Sequence, residues 1–242
     1  MQKSSLLLLW ISIIIAETGI DIIERVDKNL VANTISYTAK LRISVAGQIR
    51  EKELIGYVQG KDKAYLEFTA PARDRGTRFL KIGDEMWIYV KDIEKATKIA
   101  GHMLRQSFAG SDFSYDDVTS NEKLKEQYQI ELIGTDTIFN RECYQLLLVA
   151  RTEAVTYYKR VLWIDKEYYY PMKEELFAKS GKLMKSIVVS EFKKIRSKNY
   201  PCKIRMENKL RQNTYTELIL ENIKLDEPIP TRIFTRSYLE RK

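Results

Sequence analysis

The sequence has few of the residues on which catalysis and metal binding most often depend. Its 242 residues include one histidine, His102, and two cysteines, Cys143 and Cys202. No glycine-rich phosphate loop follows a strand-like run, and no cluster of histidine, cysteine and acidic residues has the spacing of a metal site. The sequence therefore argues against an enzyme, and it predicts neither a cofactor nor a metal.

Two weak motifs lie near the histidine. Ser111 and Asp112 are close to His102 in sequence, but the strained turn that presents a catalytic serine is missing. The acidic residues from Asp112 to Asp117 resemble a calcium loop, yet the turn glycine and the later glutamate of such a loop are absent. We interpret these carboxylates as helix caps or surface groups. An envelope hydrolase that uses Ser111 and His102 is kept as a minor hypothesis.

Long apolar runs are also scarce. One run of about ten residues extends from Leu6 to Ile15, interrupted by Ser12, whereas a membrane-spanning helix needs about twenty. Lys3 precedes this run and small or polar residues follow it, which is the order of a secretory signal peptide. We therefore predict a signal peptide over residues 1–16 and a single mature domain over 17–242, with an uncleaved anchor as the weaker alternative.

Charge and cysteine usage fit an exported protein. The formal net charge is +8, which suits anionic membrane surfaces or acidic partners, although it could serve solubility alone. Lysine and arginine are spread along the chain, so the sequence predicts no nucleic-acid partner. We favour free buried thiols for Cys143 and Cys202 and leave a disulfide between them open.

Hydrophobic periodicity predicts a mainly β protein. Apolar residues recur at helical spacing at the start of the mature chain, at Ile20, Ile23, Val26 and Leu30. The clearest strand follows, from Thr34 to Val45, where apolar and polar residues alternate. Further strand-like runs are separated by short turns: 53–59, 64–69, 77–82, 86–90, 128–134, 142–151, 156–165, 170–178, 182–194, 203–210 and 215–225.

Residues 91–127 interrupt this series, because their apolar residues recur at helical spacings. We predict a helical lid over about 91–127. About eleven strands with helices at two places favour a strongly curved antiparallel sheet that forms an incomplete barrel. The N-terminal helix and the lid would cover its concave face.

Four segments carry a resemblance to a known family. They are FTAPARDRGTRFLKIGDEMWIY (Phe68 to Tyr89), MLRQSFAGSDFSYDDV (Met103 to Val118), LWIDKEYYYPMKEELFAKSGKLMK (Leu162 to Lys185) and TELILENIKLDEPIPTRIFTRSYL (Thr216 to Leu239). Together they resemble the LolA-like group of outer-membrane lipoprotein-sorting proteins. The resemblance spans nearly the whole mature chain, and SFAGSDFSYDD is its most specific part.

The resemblance implies a monomeric periplasmic carrier of lipoprotein acyl chains or lipid. Its partners would be an inner-membrane exporter of the ABC or RND type and an outer-membrane acceptor. An alternative from another class is a periplasmic sensor or adaptor domain that binds a protein partner of an envelope transporter. A continuous apolar cavity of several hundred cubic ångströms would favour the carrier.

Apolar and aromatic residues on the strands and in the lid are the candidate lining of that cavity. These candidates are Ile35, Tyr37, Leu41, Ile43, Leu66, Phe68, Trp87, Tyr89, Met103, Leu104, Phe108, Phe113 and Trp163. Each could instead belong to ordinary sheet packing.

The lid itself has candidate moving parts around Ser111. Gly101 and Gly110 could act as hinges or could simply end a helix. Arg105 could pair with Asp112, Asp116 or Asp117 as a latch, which would contribute less than about 1 kcal/mol if exposed.

Overall fold

One antiparallel sheet of thirteen strands makes up most of the protein. The computed structural model describes residues 17–30, 32–119, 124–196 and 198–241, so the predicted signal peptide lies outside the described residues. The strands are β1 (Thr34–Val45), β2 (Gln48–Gln59), β3 (Lys63–Ala70), β4 (Arg78–Ile82), β5 (Glu85–Val90), β6 (Lys95–Lys98), β7 (Tyr128–Ile138), β8 (Arg141–Ala150), β9 (Lys159–Asp165), β10 (Pro171–Phe177), β11 (Leu183–Ile195), β12 (Lys198–Asn208) and β13 (Thr214–Leu225). The predicted antiparallel, mainly β fold is confirmed, but the sheet has thirteen strands and not eleven.

The strand order shows why the sheet is open. It runs β6-β5-β4-β3-β2-β1-β13-β12-β11-β10-β9-β8-β7, so consecutive strands pair as hairpins and β1 pairs with β13. Strands β6 and β7 lie at opposite edges, although they are neighbours in sequence. The segment between them must therefore cross the sheet. We call residues 99–127 the crossover segment.

The helices of the described residues are short. They are α1 (Gly19–Leu30), α2 (Tyr115–Thr119), α3 (Leu124–Gln127) and α4 (Arg236–Leu239), with 3₁₀ turns at Gly101–Arg105 and Thr231–Phe234. In the part of the chain that the structure describes, no helix is long and apolar enough to span a membrane.

The prediction of a helical lid over 91–127 is partly wrong. Residues 95–98 form the edge strand β6, and the helices of the crossover segment are single turns. The reason is that Ile93, Ala96 and Ile99 have three-residue spacing, which imitates a helix. Ala96 and Ile99 are instead buried by sheet pairing and by the core, while Ile93 lies exposed in the β5–β6 turn.

A capping box begins α1. The Asp21 backbone N–H donates to Thr18 Oγ1 (3.2 Å), and the Thr18 N–H donates to Asp21 Oδ2 (2.9 Å). A Cβ on Gly19 would lie 2.9 Å from Ile130 Cγ2, so glycine permits the close approach of α1 to β7. The predicted helix is confirmed, but the apolar stripe is shifted, because Ile20 is exposed. The buried residues of α1 are Gly19, Ile22, Ile23 and Val26.

The two faces of the sheet are covered by different segments. On the face that we call inner, α1 packs on β7–β9 and the crossover segment packs on β3–β5. On the outer face, the C-terminal residues Ile233, Phe234 and Leu239 pack on β3–β6. The crossover segment reaches the central strand β13 only near Thr214 and Thr216, and the space left between it and α1 positions the candidate site.

Candidate functional site

A cavity of about 570 Å³ lies between the inner face of the sheet, α1 and the crossover segment. The strands β1, β11, β12 and β13 form its floor. Several apolar residues there are only half-buried although they face inward, because part of their surface borders the cavity. These residues are Ile35, Tyr37, Ile187, Tyr200, Ile204 and Leu218.

The cavity opens at one end of the sheet. The exposed residues of its lining, Gly60 and Lys61, belong to the β2–β3 turn. Across the opening, Lys61 Nζ lies 3.4 Å from Asp27 Oδ2 on α1. The opposite end is lined by buried residues such as Phe113 and Met206. We call the open end the mouth.

Charged residues in the cavity wall are paired. Arg160 Nη1 lies 3.1 Å from Glu174 Oε1, and Asp117 forms an ion pair with Lys185 and accepts a hydrogen bond from the Tyr157 hydroxyl at 2.8 Å. A buried charge without a partner would be strongly destabilising. Because these charges neutralise one another, the wall does not require a charged ligand.

The tyrosines of the wall remain protonated at neutral pH. Burial raises the pKa of Tyr37, and it raises the pKa of Tyr200 to about 12. Burial, followed by the nearby Asp117 carboxylate, also raises the pKa of Tyr157. All three phenols are therefore neutral, so the cavity combines apolar surface with uncharged hydroxyl groups.

A second capping box shapes the crossover segment. The Asp117 N–H donates to Ser114 Oγ (3.2 Å), and the Ser114 N–H donates to Asp117 Oδ2 (2.7 Å) at the start of α2. The interpretation of these carboxylates as helix caps is thus correct for Asp117. Phe108 packs against Phe68 and Phe79 with ring centroids 5.8 and 5.0 Å apart, which holds the segment on the sheet.

A buried carboxylate anchors the crossover segment to β13. Asp112 is 3% exposed, and its oxygens accept from Thr214 Oγ1 (2.9 Å) and Thr216 Oγ1 (2.8 Å). Its backbone N–H donates to Thr216 Oγ1 at 2.9 Å. The sequence interpretation as a surface group is wrong for Asp112, because its partners Thr214 and Thr216 lie 102 and 104 positions away in the sequence.

Arg105 does not form the predicted latch within the described residues. It is exposed, and the nearby carboxylates have other partners. The ion-pair partners are Arg211 for Asp112, at 4.0 Å, and Lys185 for Asp117. Asp116 accepts a hydrogen bond from the Thr156 hydroxyl at 2.6 Å.

The structure brings six of the thirteen predicted lining residues to the cavity wall: Ile35, Tyr37, Leu41, Leu66, Phe108 and Phe113. Ile43 and Phe68 face the same side but are buried in the cluster under the crossover segment, where Leu104 also packs. Met103 is exposed in the 3₁₀ turn.

The three remaining aromatic candidates lie away from the cavity. Trp87 and Tyr89 are on the outer face against the C-terminal residues, and Trp163 packs beside Cys143 in another cluster. The sequence could not separate the faces here, because both faces of these strands carry large apolar residues. The cavity residues of β11–β13, namely Ile187, Ile204 and Leu218, were missed for the same reason.

In the described residues, the side chains considered for hydrolysis or metal binding do not come together in one site. His102 is exposed, whereas the Ser111 hydroxyl is buried and donates to the Phe113 carbonyl at 3.4 Å. Among the described residues, no group of three histidine, cysteine or acidic side chains could hold a metal. Cys143 and Cys202 are both free and buried, as predicted, and they lie in different clusters.

Comparison with known proteins agrees with this architecture. A family model described as "Uncharacterized protein" matches residues 60–241, three quarters of the 242-residue chain. No curated protein matches the sequence.

Solved structures resemble the chain over most of its length. A DUF1329 family protein from Desulfovibrio piger has a TM-score of 0.85 and 23% identity, covering 91% of this chain and 97% of that chain. A candidate outer-membrane lipoprotein-sorting protein domain from Vibrio parahaemolyticus has a TM-score of 0.84 and 21% identity, covering 92% and 98%. A LolA superfamily protein from Nitrosomonas europaea has a TM-score of 0.77 and 23% identity, covering 92% and 100%. The predicted resemblance is confirmed in the fold: this chain belongs to the matched family of uncharacterized proteins and has the LolA-like fold.

Proposed function

We propose that the protein is a periplasmic carrier that binds the acyl chains of lipoproteins or lipids in the cavity. The observation that carries this proposal is a continuous space of about 570 Å³ with largely apolar walls, open at one end. Ligand cavities in proteins are usually about 300–1,000 Å³ and mostly apolar. The size favours the carrier over a sensor or adaptor domain whose interior is filled by its own side chains.

Acyl-chain burial would supply the affinity. Each buried methylene contributes about 0.8 kcal/mol, so ten methylenes contribute roughly 8 kcal/mol, which corresponds to a dissociation constant near 1 μM before other costs. The neutral tyrosines and the internally paired charges of the wall add no requirement for a charged headgroup. The proposed cargo is therefore recognised by its hydrocarbon part.

Movement of the crossover segment would widen the cavity for loading and release, and this segment is the proposed moving part. Ala109 and Gly110 have left-handed φ values of 54° and 81°, and Gly110 has open space around it. Gly110, with Gly101 at the start of the 3₁₀ turn, is the proposed hinge. The anchor that must break is the Asp112–Thr216 contact, and Arg105 plays no part in it.

The cellular setting is part of the same proposal. Residues 1–16 would direct export, and the mature domain would act as a monomer between an inner-membrane exporter of the ABC or RND type and an outer-membrane acceptor. The LolA-like fold supports this assignment by likeness of fold.

A pair of adjacent residues on opposite faces of β13 provides the test. Leu218 lines the cavity, whereas Ile219 is half-buried on the outer face, where it pairs with Lys40 and Lys203. Leu218→Trp is expected to fill the cavity and to weaken binding of a fluorescent fatty acid at least tenfold. Ile219→Trp should leave that binding unchanged. Equal binding by both variants, or a wild-type protein that binds no fatty acid and carries no co-purified lipid by mass spectrometry, would refute the carrier.

A further inference from the structure

The mouth end of the sheet carries an exposed aromatic surface on its β7–β12 side. The β2–β3, β7–β8, β9–β10 and β11–β12 turns all lie at this end, because the strands alternate in direction. Phe139, in the β7–β8 turn, is 61% exposed, and Tyr168, in the β9–β10 turn, is 39% exposed. Both border a hollow of about 330 Å³ on the outer face, with Tyr170, Met172 and Phe192 in its wall.

The Phe139 side chain stabilises neither its turn nor the core. Its φ is 49° and that of Asn140 is 61°, a pair of left-handed values that favours asparagine, aspartate or glycine and disfavours a bulky ring. An exposed phenylalanine at such a position gains little from folding. Its ring is thus available to an apolar environment outside the protein.

The charges of this surface have one sign once the ion pairs are removed. On the β7–β12 side of this end, four acidic residues have basic partners: Arg141 lies close to Asp165 and 3.3 Å from Glu167, Lys166 is 3.3 Å from Glu142, and Lys203 is 3.3 Å from Glu191.

The β11–β12 hairpin supplies the remaining charge. Lys193, Lys194 and Arg196 are exposed and have no ion-pair partner in the described part of the chain. Basic side chains beside exposed aromatic rings are the composition that binds the interface of an anionic bilayer.

We infer that the mouth end docks on the surface of an anionic phospholipid bilayer. Phe139 and Tyr168 enter the interfacial layer, and Lys193, Lys194 and Arg196 lie against lipid phosphates. This docking places the mouth, with Gly60 and Lys61, at the membrane, so that an acyl chain would enter the cavity without crossing bulk water. The purpose of the docking rests on the proposed function, but the binding itself does not.

The test measures binding to vesicles of phosphatidylglycerol with phosphatidylcholine, and to vesicles of phosphatidylcholine alone. The protein is expected to bind the anionic vesicles more tightly. Changing Lys193, Lys194 and Arg196 to glutamine should weaken that binding about a hundredfold, because each basic residue near an anionic surface contributes about fivefold. All variants are made in the same chain, so any contribution of residues 1–16 is common to them.

A matched control removes the same charge from the opposite end of the sheet. Arg50, Lys91 and Lys182 are exposed there in the β1–β2, β5–β6 and β10–β11 hairpins. Their change to glutamine should leave most of the binding intact. Equal losses in the two triple variants would show attraction by net charge alone and would overturn the docking surface, as would a wild-type protein that binds neither vesicle.

The aromatic contribution has its own pair of variants. Phe139→Asn removes the ring and suits the left-handed backbone, so folding is preserved and binding to both kinds of vesicle should fall. Ile49→Asn, at a residue that is 53% exposed at the opposite end, should change neither. A larger loss of vesicle binding with Ile49→Asn than with Phe139→Asn would show that the protein docks by the opposite end, and it would overturn the inference.

Fatty-acid binding without vesicles separates this inference from the carrier. The mouth-end variants should bind a fluorescent fatty acid like wild type, and Leu218→Trp should still bind vesicles. Vesicle binding without fatty-acid binding would refute the carrier and keep the docking surface. Fatty-acid binding without vesicle binding would refute the docking surface and keep the carrier.

Discussion

The anchor between the crossover segment and β13 makes a quantitative prediction about opening. Thr216→Val removes one hydroxyl and keeps the shape of the side chain. That hydroxyl donates to the Asp112 carboxylate at 2.8 Å and accepts from the Asp112 N–H at 2.9 Å. Thr214 still donates to the carboxylate at 2.9 Å, so the anchor is weakened and not abolished.

The magnitude follows from these two bonds. A hydrogen bond to a charged group contributes about 1.5–3 kcal/mol and a neutral one about 0.5–1.5 kcal/mol. Their loss should therefore reduce the free energy that holds the segment closed by about 3 kcal/mol, which corresponds to a roughly hundredfold larger open population. Release of a bound fatty acid should become faster by a similar factor if opening limits release.

Amide hydrogen exchange measures this opening directly. The Phe108 N–H donates to the Phe113 carbonyl, the Ser111 N–H to the Phe108 carbonyl and the Tyr115 N–H to the Gln106 carbonyl. These amides should exchange up to about a hundredfold faster in Thr216→Val, while the amides of β1 change less.

Thr38→Val is the matched control for this experiment. The Thr38 hydroxyl also makes two hydrogen bonds, one to the Glu221 carbonyl (3.3 Å) and one from Asn222 Nδ2 (3.0 Å), and neither involves the crossover segment. The reasoning is refuted if Thr216→Val leaves the crossover amides at the wild-type rate, or if sheet and crossover amides accelerate equally, since the segment would then not open by itself.

Three further predictions concern the sheet and the thiols. A Cβ on Gly56 would lie 2.2 Å from Tyr37 Cζ, so Gly56→Ala should destabilise the fold by about 1–3 kcal/mol, as measured by chemical denaturation. Adding Tyr37→Leu to the Gly56→Ala variant should restore much of the lost stability. The pKa of Tyr200 is raised from 10.0 to about 12 in the folded protein, so the unfolded chain loses this proton at a lower pH. The free energy of unfolding should therefore fall by about 1.4 kcal/mol per pH unit between pH 10 and 12. Tyr200→Phe should reduce this slope in pH-dependent unfolding. Burial raises the pKa of both thiols, to about 11 for Cys143, so a thiol reagent should modify neither Cys143 nor Cys202 in the native protein and both after unfolding. The absence of any reactive thiol after unfolding without reductant, with two thiols after reduction, would indicate the disulfide.

Local patterns were sufficient for the parts of the fold that local physics controls. The alternation from Thr34 to Val45 predicted β1 with the bounds that the structure has, because a strand with one buried face must alternate. The three- and four-residue spacing after Thr18 predicted α1 for the corresponding reason. The same reasoning failed at β6, where four residues offer too short a pattern and neighbouring apolar residues imitate a helix.

The predicted cavity lining depended on which face of each strand points inward, and local sequence determines that face only in part. Where one side of a strand is polar, as in β1, the cavity residues Tyr37 and Leu41 could be identified. Where both sides are apolar, as around Trp87 and Trp163, the choice of side is made by what covers the sheet. Here the C-terminal residues bury Trp87 on the outer face.

The sequence by itself determined the antiparallel β character and the first helix, since each depends on residues close together in the chain. Tertiary structure alone decided that β1 pairs with β13, that the crossover segment is anchored by Asp112 on Thr216, and that a cavity remains between this segment and α1. These features join residues about a hundred or more positions apart. The free energy that selects such contacts comes from burial shared by the whole sheet, which no single stretch of sequence contains.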